Sequence, residues 1–402
     1  MSSIWLTWDE LNQQLKDKEV LLFGAGVELV EKTISKIPKQ PLCILDNSKN
    51  MQNSTVNGVE VVPPNEGVQF SRNFIILITT TLYQSVSQQL SEMGLTKGVD
   101  FFCSPVLYSE KKAHDIKSHD QTLLFSCSDA PEDHSSDCGG GLYTFDIKTR
   151  KLEKHFSGRL RQIAKTNDFY YVADASQGVQ VFNKNLEFVK TIESLPGSIL
   201  HGLTYDPVHE VLYTANTGRD SISVIDIKDG SHIEELSIRA DHHNDESDQH
   251  HINDLCSFKG NLYISMFSFS GLWKEGCFDG GVASFDTRSN KITGYPIRDI
   301  WMPHSVDFIN GEISVIDSMN GKVYKTSNKS LVEINGFLRG LAFDGKYYFI
   351  GQSEHRHIDR LQGVNGNITL NCGIHLYDPI TSLSRFHSFD ELTNIHSIVV
   401  VS

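Results

Sequence analysis

The chain reads as two folds in series: an α/β Rossmann-like domain, then an all-β six-bladed propeller closed by the C-terminal strand. Three observations predict this. A short phrase recurs down the last two-thirds: Leu160-Arg161-Gln162-Ile163, Leu200-His201-Gly202-Leu203, His250-His251-Ile252-Asn253, Pro303-His304-Ser305-Val306, Leu338-Arg339-Gly340-Leu341 and Ile395-His396-Ser397-Ile398. A His or Arg opens a short apolar strand each time, as in propellers, whose innermost strands line a channel. Second, the last copy has no successor, while the segment at 122–126 reads as a second strand without a first. Third, the first hundred residues alternate apolar strands with helical patterns, which predicts a parallel sheet.

In the first domain, residues 1–103, Val20-Leu21-Leu22-Phe23 is an apolar strand running into Gly24-Ala25-Gly26. A helical face follows with Val27, Val30, Ile34 and Ile37, and Pro38 closes it. Leu42-Cys43-Ile44-Leu45 is a second strand ending at Asp46. Strands at 59–62 and 74–78 and a helix over about 82–93 complete the unit. A glycine turn at a helix start offers backbone N–H groups to phosphate. Asp46 stands where a ribose hydroxyl is read. Leu29 replaces the third glycine of the dinucleotide fingerprint, so the same turn also suits plain helix–strand packing. Residues 104–120 are polar, with Lys111-Lys112, and read as a linker.

Residues 121–402 number 282, about 47 for each of six blades. Second strands fall at 170–173, 211–215, 262–266, 313–317 and 347–351, and third strands follow each. Turns between first and second strands are short, as at Asn310-Gly311 and Asp344-Gly345. The long loops, 128–141, 241–250, 267–281 and 352–372, fall on the opposite face, where the histidines begin their strands. Long loops on a rigid scaffold usually carry function.

The ring can do one of several things. His201, His251, His304 and His396 from four blades suit a divalent metal such as zinc, manganese or iron. Arg161 and Arg339 suit a carboxylate, sulfate or phosphate. A neutral imidazole beside arginines suits a nucleophile or base. Arginine neighbours lower an imidazole pKa and disfavour a bound cation, so the metal and anion readings diverge. Alternatively each histidine is structural, bonded to an aspartate of its blade such as Asp174 or Asp317. The acidic-histidine run 241–250 fits a solvated loop or a metal site. Glu354-His355-Arg356-His357 sits on the last blade's long loop and fits a lid, with Glu354 and Arg356 as substrate-binding groups.

Composition bounds the partners. Charged residues make up 21% and the formal charge is −14, which argues against nucleic acid or an anionic membrane as a general partner. The start shows no signal-peptide pattern, and no segment has the length of a membrane span. Seven cysteines without a C-x-x-C pair fit reduced thiols in the cytoplasm. Cys127 and Cys138 bracket one loop. Oligomeric state is left open.

Phe23-Gly24-Ala25-Gly26, Leu45-Asp46-Asn47, Asn57-Gly58-Val59-Glu60-Val61 and Ile75-Ile76-Leu77-Ile78 resemble the small Rossmann-like module of sugar-modifying enzymes, including the N-terminal domain of sugar-nucleotide acetyltransferases. The resemblance implies a nucleotide-sugar at Gly24, Gly26 and Asp46. The stretch from His304 to Tyr324, with Gly336 to Phe343 and Phe349 to Glu354, resembles an uncharacterised bacterial propeller family of unknown function. His251-Ile252-Asn253, and His304 followed by Asn310-Gly311 and Asp317-Ser318, are similar to arylsulfate sulfotransferases, six-bladed propellers. That likeness implies His304 as nucleophile, with His251, Asn253 and Arg339 on the anionic group. The histidine ring is also similar to metal-dependent propeller lyases acting on acidic sugars. Together these imply an enzyme of glycan or sugar-conjugate metabolism, such as polysaccharide biosynthesis. It would act on a small anionic or sugar-linked substrate by group transfer or by metal-dependent lyase or epimerase chemistry. The rival reading is a non-catalytic propeller scaffold that binds a glycan or a protein.

Overall fold

The computed structural model describes residues 3–69, 73–129, 139–238, 248–326, 329–354, 357–361, 364 and 367–401. The chain divides into two compact units, Met1–Asp115 and Ile116–Ser402.

In the first unit, α1 (Trp8–Gln14) starts on a Thr7–Glu10 capping box. Then come β1 (Glu19–Phe23), α2 (Val27–Ile34), β2 (Cys43–Leu45), β3 (Thr55–Val56), β4 (Val59–Val62), α3 (Pro64–Gly67), β5 (Phe74–Ile78), α4 (Tyr83–Glu92), β6 (Phe101–Cys103) and α5 (Tyr108–Lys117). The sheet order is β3-β4-β2-β1-β5-β6. Every pairing is parallel except β3 with β4. Successive residues of β1 and β5 fall in two separate apolar clusters, so both faces of the sheet are covered. That explains the uninterrupted apolar runs in the sequence.

The stretch expected as a linker holds α5 instead. Its charges fall at helical spacing, and Lys111 Nζ meets Asp115 Oδ2 at 2.8 Å. The second unit begins within this helix, at Ile116, which is 4% exposed and packs into an apolar cluster of that same unit. Cys138, considered beside Cys127, and the run 241–247 lie outside the described residues.

The second unit is a six-bladed β-propeller, with six four-stranded antiparallel sheets. Blade 1 pairs the C-terminal strand Ser397–Val400 with Thr122–Cys127, in the order that places the C-terminal strand innermost. The inner strands of blades 2 to 6 are Leu160–Lys165, Leu200–Asp206, Ile252–Phe258, Pro303–Ile309 and Phe337–Phe343. Each of these five carries a register shift within its first residues: between Leu160 and Ile163, Leu200 and Leu203, Ile252 and Leu255, His304 and Asp307, and Leu338 and Leu341. A shift of this kind is a β-bulge, which disrupts the ladder and re-aims side chains.

The inner N–H groups then find partners around the axis. Gln162 Oε1 accepts from Leu203 N at 2.8 Å and from Leu255 N at 2.9 Å. Asp254 Oδ2 accepts from Ser305 N at 2.5 Å, and Ser305 Oγ from Gly340 N at 2.8 Å. Ser397 Oγ accepts from Ile163 N at 3.2 Å, and Ser126 Oγ from Ser397 N at 3.2 Å. One N–H from each blade is satisfied in this belt. A buried N–H without a partner costs about 1–3 kcal/mol, so the belt bears directly on closing the ring.

Gly202 is needed for the same close approach. A Cβ there would lie 2.1 Å from Asn253 O and 3.0 Å from the Asp254 Cα. Gly202→Ala is therefore expected to cost about 1–3 kcal/mol, read as a lowered unfolding midpoint in thermal or urea titration. Gly294→Ala, in the outer strand Lys291–Arg298 where a Cβ meets only the Ser284 hydroxyl at 3.3 Å, serves as the control. Equal midpoints for the two variants would contradict the packing argument.

Candidate functional site

The register defines which residues share a level around the axis. In blades 2, 3, 4 and 6, the residue two before Ile163, Leu203, Leu255 and Leu341 occupies the bulge: Arg161, His201, Asn253 and Arg339. His304 follows Pro303, which faces Asp317 just as Leu160 faces Asp174. His396 stands two before Ile398, which faces Phe125. The six positions are thus Arg161, His201, Asn253, His304, Arg339 and His396.

This corrects the sequence alignment of blade 4. The phrase His250-His251-Ile252-Asn253 is offset by two, and Ile252-Asn253-Asp254-Leu255 is the true equivalent. His251 precedes the strand. Its φ of +49° is left-handed, a conformation in which histidine is enriched among non-glycine residues. Asp220 anchors this entry by accepting from Gln249 N at 2.6 Å and His250 N at 3.0 Å. The imidazole of His251 stacks near Phe267 and Trp273, with centroids at 4.3 and 4.5 Å, and Asp248 Oδ1 lies 3.0 Å from its Nδ1.

A cavity of about 380 Å³ opens at this end of the axis. Its described lining is Ser128, Arg161, His201, His251, Phe267, Trp273, Met302, Arg339, His357, Arg360 and His396. The lining residues outside the inner strands come from the long loops and strand entries of that face. Three arginines and four histidines meet here, and no carboxylate stands among the described lining residues. A cationic mouth in a chain of charge −14 concentrates anions locally.

The polar groups are held individually. Arg339 Nη1 donates to His396 Nε2 at 2.9 Å, and Arg161 Nη1 donates to Leu200 O at 2.9 Å. His201 is buried, its ring 5.6 Å from His251 and 6.0 Å from His396. Burial first, then Arg161 and the neighbouring imidazoles, push its pKa well below the ordinary value. His304 is pushed the same way by burial and by Arg339. Its Nδ1 lies 2.7 Å from Ser318 Oγ and 2.9 Å from Met302 O. Ser318 in turn donates to Leu338 O. This network places the proton on Nδ1. Burial raises the Asp254 carboxyl to about 6, while Ser305 N, Arg339 and Arg161 draw it down.

The sequence-predicted residues therefore separate. Arg161, Arg339, His201, His251 and His396 line one cavity. His304 and Asn253 are buried and are not among its lining residues. Glu354 is exposed and absent from the lining, and Arg356 lies outside the described residues. The four histidines do not form one ligand set: among the described residues, no three of His, Cys, Asp or Glu gather as metal ligands. His201, His251, His304 and His396, on which zinc, manganese or iron was expected, are not in any such group of three among the described residues. Asp248, just before the inner strand of blade 4, pairs with His251, while the two aspartates named for this role take other partners. Asp174 accepts from Ser176 and Gln177, and Asp317 from Asn320. The sequence reading missed Phe267, Trp273, Met302, Ser128 and Arg360, which carry no repeat signal.

In the first unit, Asp46 Oδ2 accepts from Ala25 N at 2.8 Å and Oδ1 from Ser48 N at 2.8 Å. The carboxylate thus sits on the turn expected to hold phosphate. Gly24 has φ +111°, and a Cβ there would lie 2.8 Å from Thr80 Cβ, so local packing requires this glycine. Gly26 has open space around it.

Fold and site define a six-bladed propeller with a cationic axial mouth. Residues 241–401 match a domain of unknown function, DUF4915. No curated protein matches the sequence. Among solved structures, the chain is similar to a protein of unknown function from Bacteroides caccae, at 12% identity and TM-score 0.51, covering 70% of this chain and 99% of that one. It is similar also to a chain of a nidogen/laminin complex, at 10% identity and TM-score 0.52, covering 71% and 99%. At these identities the likeness shows the fold alone. No helix among the described residues is long and apolar enough to cross a membrane.

The lowered histidine pKa values set a pH response. His375 and His387 are held down to about 4, chiefly by burial. With His201 and His304 they are neutral in the folded protein, while unfolded imidazoles take protons near ~6.5. The contribution of His375 and His387 is complete above that value and is lost as pH falls from there toward about 4, and His201 and His304 act in the same direction. Asp254 acts oppositely: its contribution is lost as pH rises through about 6. His155 is lowered too, and burial raises Asp220, Asp307 and Asp317 in the same direction as Asp254. The unfolded imidazoles, which take their protons near ~6.5 and so within the interval, predict a melting temperature lower at pH 5.5 than at pH 7. Nitrogen NMR of the imidazoles should show His201 and His304 still neutral at pH 5.5, and charged rings there would contradict the assignment.

Proposed function

We propose that the propeller binds the anionic group of a small molecule at the His/Arg mouth. The observation that carries this reading is the convergence of Arg161, Arg339 and Arg360 with His201, His251, His357 and His396 on one cavity of about 380 Å³. That volume lies in the range of small-molecule sites. A guanidinium presents a planar fork that matches carboxylate, sulfate and phosphate. His201 stays neutral beside the arginines, so it hydrogen-bonds the ligand without adding to the charge repulsion within the site. Group transfer to or from such an anion is consistent with this arrangement. The metal-dependent branch lacks a donor set among the described residues.

Sulfate or phosphate should raise the melting temperature at constant ionic strength, where chloride does not. Hydrogen bonds to charged groups contribute about 1.5–3 kcal/mol, so Arg339→Ala or Arg161→Ala should weaken anion affinity by about 10- to 100-fold in calorimetric titration. Unchanged affinity in both variants would refute the reading.

A further inference from the structure

Beyond the polar belt the axis reverses its charge. A cavity of about 270 Å³ there is lined by two carboxylates, Asp254 and Asp307. They come from the inner strands of neighbouring blades, Ile252–Phe258 and Pro303–Ile309. Cys256 joins them, with its Sγ 3.6 Å from Asp307 Oδ1. Asp307 stands three residues before the Asn310-Gly311 turn and is accessible to solvent, so the cavity is entered from the face of the short turns.

The fold leaves part of each carboxylate unfilled. Asp254 is 4% exposed, and its Oδ2 accepts from Ser305 N at 2.5 Å. No hydrogen bond among the described residues reaches its Oδ1. Asp307 Oδ1 accepts from Phe308 N at 2.7 Å and from the Cys256 thiol, which leaves its Oδ2. Burial raises both acids, Asp254 to about 6. A buried carboxylate without a full set of donors is costly, and a bound cation removes that cost. Lys165, the one lysine of the described lining, stands across the ring on blade 2, where its Nζ donates to Val400 O at 3.1 Å.

The remaining groups select the kind of cation. Thr204, Ser305 and Ser397 line the same cavity. Their hydroxyl oxygens accept from Ser257 N, Gly340 N and Ile163 N, and a hydroxyl oxygen has a second lone pair to offer. Carboxylate and hydroxyl oxygens on several strands match an ammonium group, which carries three directed N–H donors. No three of His, Cys, Asp or Glu gather as metal ligands among the described residues. A bare ammonium ion takes about the space of one water, ~30 Å³. The cavity therefore has room for carbon as well, and Ala164, Val306, Leu341 and Val399 line the rest of it.

We infer that this cavity binds a primary ammonium group on a small alkyl body, its N–H donors directed to Asp254 Oδ1 and Asp307 Oδ2. The site lies on the opposite side of the belt from the His/Arg mouth, and it does not rest on the anion reading.

Propylammonium, tetramethylammonium and calcium, all as chlorides, are titrated calorimetrically into the full chain at a fixed, mildly alkaline pH and constant ionic strength. Tetramethylammonium has the same charge and similar bulk but no N–H donor. Propylammonium should bind at least about tenfold more tightly than tetramethylammonium. Asp254→Asn and Asp307→Asn should each weaken propylammonium by about 10- to 100-fold and leave tetramethylammonium little changed. Asp307→Asn lies outside the belt, so it carries the test if Asp254→Asn fails to fold. Equal affinity for the two ammonium probes, or tighter binding of calcium than of propylammonium, would overturn the inference. So would absence of propylammonium binding, or unchanged propylammonium affinity in Asp307→Asn.

Discussion

Six strands crowd one axis, and each inner strand must find a side-chain partner for an N–H. That constraint orders the rest of the propeller. Gln162, Asp254, Ser305, Ser397 and Ser126 meet it with side-chain oxygens. Gly202 lets the neighbouring inner strand come close enough, since a Cβ there would lie 2.1 Å from Asn253 O. Each belt residue on an inner strand directly follows a residue of the His/Arg level, through a bulge in blades 2 to 6 and without one in blade 1, so fixing one fixes the other. The level residues are Arg161, His201, Asn253, His304, Arg339 and His396. The polar belt and the His/Arg level are consecutive positions of the same phrase.

The chemistry of the axis follows from burying charge beside neutral groups. Burial and the permanently charged arginines both make the imidazoles harder to protonate, whereas at the carboxyl burial outweighs the arginines. His201 and His304 become harder to protonate. Asp254, one layer deeper, becomes easier to protonate. A second cavity of about 270 Å³ lies on the far side of the belt and is lined by Asp254, Asp307 and Gln162. His396 lines both cavities. The axis is thus cationic at the long-loop end and carries carboxylates beyond the belt.

Much of the fold was legible because its signals are local and repeated. The apolar inner strands, the Asn-Gly and Asp-Gly turns and the recurring His or Arg pointed to blades and to one face. The α/β unit was legible from its uninterrupted apolar strands. Three things were not. Blade 4 has a histidine just before its inner strand, so the pattern His250-His251 drew the alignment two residues early. The helix Tyr108–Lys117 was hidden by its polarity, since its stabilising charges lie four apart rather than in an apolar face. The aromatic wall was invisible because Trp273 and Phe267 sit on a single long loop with no counterpart in other blades. The histidine level illustrates a general limit. Repeated histidines fix a level around an axis, but ligand geometry depends on ring orientation, which the bulges and Ser318 decide.

The central claim is that equivalent bulges on separate blades bring guanidinium and imidazole groups to one anion-binding cavity. Anomalous diffraction from crystals soaked in selenate tests it most directly. The account predicts a selenium peak inside the cavity, within hydrogen-bonding reach of Arg161 or Arg339, and its loss in the Arg161→Ala, Arg339→Ala double variant. An empty cavity beside ordered selenate elsewhere on the propeller would contradict it.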